Sequence, residues 1–261
     1  GRSNEAIAWY RDAISANSNY AEAYNNLGVV LHQLDHLDIA LAQFEAALSL
    51  NPDYAQAYFN FGNTLTADGQ LQEATIAYQK ALELQPNYTA ARNNLAHLQQ
   101  SIGEYHSAIA LYRQSIAQDP NSANAHMNLA NLLQEQGNLD GAMVHYEKAI
   151  GLDPSNPNLL HNLALAFERS GDHPQAIKTH YEVLQLNSRH AESHHQLGCL
   201  LQANRPAEAL AHLQQAINYQ PDFAEAYNSI GGLWHQRMEL PAAIASFQQA
   251  IALDPDFADA H

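Results

Sequence analysis

The sequence predicts an all-α chain built as an array of helical hairpins, and three observations carry that reading. Prolines recur at Pro52, Pro86, Pro120 and Pro154, each 34 residues after the last. Small residues recur at the same interval, at Ala40, Ala74, Ala108, Ala142 and Ala176. Between these markers, apolar residues fall at helical spacing in two runs broken by a glycine. A fixed period in the range of about 20–50 residues indicates a solenoid, in which each unit buries its apolar face only against its neighbours.

The stretch from Ala55 to Tyr88 shows the unit. Tyr58, Phe61, Gly62 and Leu65 lie on one face of a first helix, and Gly69 breaks the run. Ala74, Tyr78, Ala81 and Leu82 form the stripe of a second helix, which Pro86 ends. Each helix is about 13 residues, or about 20 Å, too short to persist alone in water. Gly28, Gly62, Ala96, Ala130, Ala164, Gly198 and Gly231 keep one spot of each first helix small, so that two helices can approach closely. Phe44, Tyr78, Tyr112, Tyr146 and Phe247 are expected to fill the space between neighbouring units.

Read in order, residues 1–20 supply a second helix only, with Ala6, Trp9, Tyr10, Ala13 and Ile14 on its stripe. Seven full units follow, at 21–54, 55–88, 89–122, 123–156, 157–190, 191–223 and 224–257, and residues 258–261 begin another. This predicts bare ends able to stack end to end in self-association. Two places depart from the pattern. In the third unit Arg92 and Gln99 stand where apolar residues are expected, and Ser115 where Ala is. Ser188 replaces a proline, and the turn at Asn204-Arg205-Pro206 is one residue short, a change of pitch, a bend or a tolerated deletion.

The totals narrow the function. Eleven Lys and Arg stand against 27 Asp and Glu, a formal charge of -16. That balance disfavours nucleic acid and anionic membrane as partners and favours solubility. Apolar runs fall short of the ~18–20 residues that cross a bilayer, and no signal-peptide pattern opens the chain. With Cys199 the only cysteine, no internal disulfide forms; a reducing, cytoplasmic setting is the expectation.

The first full unit reads Tyr24-x-x-Leu27-Gly28-x-x-Leu31, then Ala40-x-x-x-Phe44, Ala47 and Pro52. This resembles the tetratricopeptide repeat, and the resemblance recurs seven times over nearly the whole chain. It implies a right-handed superhelical solenoid that binds other proteins, with the first helices lining its concave surface. The acidic side chains Glu22, Asp38, Glu73, Glu192 and Glu225 keep such an array soluble and could select basic partners.

On that surface the resemblance places Asn26, Asn60, Asn94, Asn128 and Asn162, one per repeat, before Gln196 and Ser229 end the column. Asparagine is a mediocre helix former, so five in register need a reason. A carboxamide donates and accepts, so it can grip the main chain of an extended peptide whatever its side chains. Packed helices lie about 8–10 Å apart and an extended chain advances about 3.3 Å per residue, giving one asparagine per roughly three peptide residues. The alternative use is satisfaction of groups within the stack. Asn63 and Asn131, with Gln56 and Asn124, continue a polar and nearly uncharged groove. The column also resembles that of the repeat arm of O-linked N-acetylglucosamine transferases and SPINDLY-type proteins. Two further functions are therefore open: the substrate-selecting arm of a larger enzyme such as a protein glycosyltransferase, or a self-assembling scaffold. A clamp for a chaperone's terminal carboxylate is improbable, because Glu22, Gln56, Ala90, Asn124 and Asn158 stand four residues before the column, where cations are needed.

His161 and His195 adjoin the column and are candidates to touch a ligand. His190 and His194 are one helical turn apart, but the run H-A-E-S-H lacks the zincin order, so no metal is expected. Ionising all 15 histidines would bring the formal charge to about -1, and self-association is expected to rise as pH falls. Cys199 reads as a buried thiol, and Trp9 and Trp234 as packing residues. Gly231-Gly232 lacks a phosphate-loop context. Neither a cofactor site nor a catalytic constellation is predicted.

Overall fold

The computed structural model describes residues 2–256. Among the described residues every regular element is an α-helix. The order is α1 (Arg2–Ala16), α2 (Ala21–Gln33), α3 (Leu37–Leu50), α4 (Ala55–Ala67), α5 (Leu71–Leu84), α6 (Thr89–Ser101), α7 (Tyr105–Gln118) and α8 (Ala123–Glu135). It continues α9 (Leu139–Leu152), α10 (Pro157–Ser170), α11 (His173–Leu186), α12 (Ala191–Leu201), α13 (Pro206–Tyr219), α14 (Ala224–Gln236) and α15 (Leu240–Leu253). The helices group into two compact units, Gly1–Ala125 and His126–His261, the division falling in the first turn of α8. Phe257 and the expected start of a further repeat at 258–261 lie outside the described residues.

From α1 to α7, and again from α9 to α15, the helices pack in chain order, each against its neighbour in sequence. α2 pairs with α3, α4 with α5 and α6 with α7; α10 pairs with α11, α12 with α13 and α14 with α15. Successive first helices also touch, α2 with α4, α4 with α6 and α12 with α14.

The hairpin closes where the sequence keeps its small residue. A methyl group added at Gly28 would stand 2.8 Å from the Phe44 ring, and one at Gly62 would stand 2.8 Å from Tyr78. At Gly231 it would meet Phe247 at 2.6 Å. The large residues were expected between neighbouring units. Phe44 and Tyr78 do reach the next repeat, and each ring also lies against the small spot of its own hairpin. Tyr78 thus shares a cluster with Leu65 and Ala74 of its hairpin and with Leu95 and Leu98 of the following helix. Phe44 does the same, with its ring 6.5 Å from that of Phe61.

The turns inside the hairpins share one construction. Gly69, Gly103, Gly137 and Gly171 take left-handed backbone with φ of +75° to +85°. The residue after each donates its N–H back to the carbonyl five residues earlier, as in Gln70 to Leu65, at 2.9 Å. This is the Schellman closure, which satisfies carbonyls the helix end leaves open. Asp35 and Met238 adopt the same left-handed geometry without being glycine. The short turn at Arg205 does not: the missing residue is the left-handed one, and Arg205 bonds to Leu201 four residues back at 2.8 Å. α12 is accordingly the shortest of the helices.

Between repeats, each second helix stops two residues before its proline, and the next residue caps a polar turn. Asn51 Oδ1 accepts from Asp53 N at 3.2 Å, and Asp119 Oδ1 from Asn121 N at 3.1 Å. Asn187 Oδ1 accepts from Arg189 N at 3.1 Å, which explains why Ser188 can replace the proline. The acceptor side chain holds the turn where ring rigidity is absent.

Two of the polar intrusions of the third unit, Arg92 and Ser115, find partners among neighbouring groups. Buried Arg92 donates Nη1 to Gln118 Oε1 at 2.6 Å and Nη2 to the Pro86 carbonyl. Ser115 donates to Asn93 Oδ1 at 3.3 Å.

The tightest approach is at Gly198, where an added methyl would stand 2.5 Å from Leu213 and 3.2 Å from the Ala209 carbonyl, whereas Gly232 has open space. Gly198→Ala is therefore expected to lower stability by about 1–3 kcal/mol. Gly232→Ala is expected to raise it by up to about 1 kcal/mol. Urea unfolding followed by circular dichroism checks both. Met238, 78 % exposed and left-handed, gives a third case: Met238→Gly should raise the stability by about 0.5–1 kcal/mol.

Candidate functional site

The asparagine column lies on the first helices, and part of it is knitted together. Asn94 Nδ2 donates to Asn63 Oδ1 at 2.7 Å, and Tyr78 Oη donates to the same oxygen at 2.8 Å. The second unit repeats the arrangement. Asn162 Nδ2 donates to Asn131 Oδ1 at 3.3 Å, and Tyr146 Oη to that oxygen at 2.7 Å. Tyr112 Oη, at the equivalent position of α7, meets His97 Nδ1 at 3.1 Å. The tyrosine that spaces each hairpin thus also fixes a polar group on the first-helix surface.

The remaining asparagines differ. Asn60 is engaged at both ends, donating to Asn25 Oδ1 at 2.9 Å and accepting from Gln56 Nε2 at 3.2 Å. Asn26 is exposed and accepts from Asn25 Nδ2 at 3.2 Å. Asn128 is half-buried. The bridging residue Asn25, almost wholly buried, was missed from the sequence. The Asn25-Asn26 doublet was the available signal, since adjacent helix positions point about 100° apart and cannot share one role.

Asn63 and Asn94 open onto a cavity of about 460 Å³, with Tyr78, His32, His97 and Ser101 on its wall. Among the described residues, Asn63 Nδ2 and Asn94 Oδ1 have no hydrogen-bond partner. Both asparagines thus line one cavity, each with one end of its amide taken up by the bond between them.

The two histidines beside the column are drawn into the stack. His161 Nδ1 lies 3.2 Å from Ser193 Oγ. His195 Nε2 lies 3.0 Å from Ser229 Oγ, its ring 4.9 Å from Phe223. His190 caps α12 by accepting Ser193 N–H on Nδ1 at 3.2 Å, and His194 turns to His212, Nδ1 to Nδ1 at 2.9 Å. The other nitrogen of His194 lies 3.2 Å from the Ser188 carbonyl, which only accepts. His194 Nε2 therefore carries the proton, and His212 donates across the pair. His126 and His145 form an equivalent pair at 2.9 Å.

These contacts change the expected response to acid. Burial lowers the pKa of His161 to about 4 and of His180 to about 3, and it lowers those of His190, His194, His195 and His212 as well. Six of the 15 histidines thus resist ionisation while the chain is folded. Among the described residues no cluster of His, Cys, Asp and Glu is arranged to hold a metal, and no helix is long and apolar enough to cross a membrane.

Comparison with known proteins adds the following. Profiles described as tetratricopeptide repeat match residues 20–87 and 156–222, just over half of the chain, and others match 77–110 and 200–257. A profile described as TPR repeat matches 1–35, 100–137 and 130–171. Curated proteins give no match. Among solved structures, a tetratricopeptide repeat protein from Parabacteroides merdae superimposes with a TM-score of 0.70 at 18% identity, over 100% of this chain and 96% of its own. The C-terminal part of a TPR repeat-containing protein from Cytophaga hutchinsonii gives 0.71 at 15%, over 90% and 97%. YrrB, described as a TPR protein with an unusual peptide-binding site, gives 0.60 at 21%, over 72% and 96%. At these identities the likeness speaks for the fold alone.

Burial raises the pKa of Cys199, with its sulfur 3.5 Å from His195 Nε2. Its labelling by a disulfide reagent at pH 8 is expected to be about tenfold slower or more than that of free cysteine, and fast in guanidinium. Absorbance of the released thiolate reports the rate.

Proposed function

The chain belongs to the tetratricopeptide repeat family, whose arrays are protein-interaction modules, and on that premise we propose that it captures extended protein segments by their main chain. The observation that carries this reading is the paired donor and acceptor of Asn63 and Asn94 at one cavity. A peptide group presents one N–H and one C=O, and the free Asn94 oxygen and Asn63 amide complement them. The Tyr78 and Asn94 bonds to Asn63 Oδ1 fix that amide before a ligand arrives, which reduces the ordering cost of binding. Asn131 and Asn162, held by Tyr146, offer the same pair in the second unit. Asn60 contributes less, because both its ends are engaged. Asn26, Asn128, His161 and His195 flank these pairs.

Each such bond is worth about 0.5–1.5 kcal/mol net, so affinity is weak for short segments and grows with length. The main-chain mode predicts broad sequence tolerance. The charge of -16 adds a preference for basic segments.

Panning a phage-displayed library of random unstructured peptides tests this. The native chain should enrich binders, and Asn63→Ala/Asn94→Ala should reduce their capture by about tenfold or more with its helical circular dichroism unchanged. Asn60→Ala should reduce capture less. Equal capture by the double variant overturns the proposal.

A further inference from the structure

At the head of α12, three imidazoles converge on one buried residue. Ser193 Oγ lies 3.2 Å from Nδ1 of His161 on α10 and 3.2 Å from Nδ1 of His180 on α11. Its main-chain N–H donates to Nδ1 of His190 at 3.2 Å. The rings are close: His161 lies 4.8 Å from His190 and 5.5 Å from His180, centroid to centroid. We propose that this junction is an acid-operated latch, in which neutral His161, His180 and His190 hold the first turn of α12 and proton uptake releases it.

Hydrogen-bond stoichiometry fixes the closed state. A serine hydroxyl has one proton, so it donates to one of the two imidazoles and accepts from the other. His190 Nδ1 accepts a main-chain N–H and so carries no proton. At least two of the three rings therefore use a lone pair that a proton would destroy. His180 adds a second constraint: it is fully buried and its Nε2 has no partner. An imidazolium there would bury an N–H with no acceptor.

The open state has a destination for the charge. Glu192 Oε2 lies 3.4 Å from His190 Nδ1. While that nitrogen accepts from Ser193 the pair is not ionic. Once protonated, it can donate only to Glu192, and α12 loses its cap. The other restraints on this turn are the Arg189 N–H bond to Asn187 Oδ1 and the His194 contact with the Ser188 carbonyl, and the far end of α12 lacks the left-handed closure.

The groups facing the latch are His161 from α10, His180 from α11, and His190, Glu192 and His194 from the head of α12. Glu208 and His212 of α13 act behind His194, and Glu225 of α14 acts on His195. Burial comes first among the causes for His161 and His180, with pKa values of about 4 and about 3. An exposed imidazole titrates near 6.5, so between that value and about 4 the open form binds more protons. Opening therefore becomes favourable as pH falls through this window, by about 30-fold per histidine at pH 5.

Hydrogen exchange of the whole chain, read by mass spectrometry at pH 7.5 and 5 and corrected for intrinsic rates, tests the latch. Protection in 187–201 should fall at least about tenfold more than in 89–101, the equivalent segment of the first unit. In His161→Asn/His180→Asn, which keeps a polar atom near each Nδ1, that differential should shrink to about threefold or less. An equal fall in both segments, no fall, or an undiminished differential in the variant overturns the proposal. If the variant does not fold, ¹⁵N-imidazole titration of the native chain decides. His161 and His180 still neutral at pH 5.5 support the latch, and titration near 6.5 overturns it.

Discussion

The structure depends on the near-contact between a residue without bulk and a large one across each hairpin. Gly28 faces Phe44, Gly62 faces Tyr78 and Gly231 faces Phe247, all at distances that leave no room for a methyl group. Where the small residue is alanine, as at Ala96 and Ala130, the partners Tyr112 and Tyr146 are still fully buried. The pair sets how close two helices come, and hence which residues of the first helix remain on the surface. Because every repeat uses the same pair, the spacing propagates along each unit without a central core. This is also why the alanines at 40, 74, 108, 142, 176, 209 and 243 are buried: larger side chains there would hold the second helix away.

The period made the helices legible, since apolar spacing, glycine turns and prolines all repeat and reinforce one another. What the sequence did not reveal is where polar atoms find their partners. The hydroxyl of Tyr78 and the amide of Asn94 are 16 positions apart, and only folding brings both to Asn63. Likewise Asn25 and Asn26 look equivalent in sequence, yet one is buried and the other exposed. His161 and His195 adjoin the column in sequence. Their direction was set by Ser193 and Ser229 on the following first helix. A periodic pattern identifies the face of a helix, whereas a hydrogen bond also requires knowledge of the neighbouring repeat.

Gripping a ligand, the proposed role of the asparagines, and satisfying the stack are compatible within one residue. A carboxamide has two ends. In Asn63 the oxygen serves the stack, and in Asn94 the nitrogen does. Under the proposed role, what is left for a ligand is one donor and one acceptor rather than two identical groups. An unanchored asparagine would lose rotamer freedom on binding, a cost of the same order as the bond it makes. Anchoring one end removes much of that cost before binding.

The large-residue position links these observations. Along the chain it is Phe44, Tyr78, Tyr112, Tyr146, His180, Leu213 and Phe247. A tyrosine there sends its hydroxyl to the first-helix surface of its own repeat, where it orients Asn63 or Asn131. A histidine there is shorter and cannot reach that surface. Its Nδ1 instead meets Ser193 of the next repeat. Phe and Leu send no polar atom at all. One buried position therefore decides whether polarity is directed to the groove or to the joint between repeats. Tyrosine gives way to histidine in the repeat of Asn162, and the column loses its asparagines in the next, at Gln196.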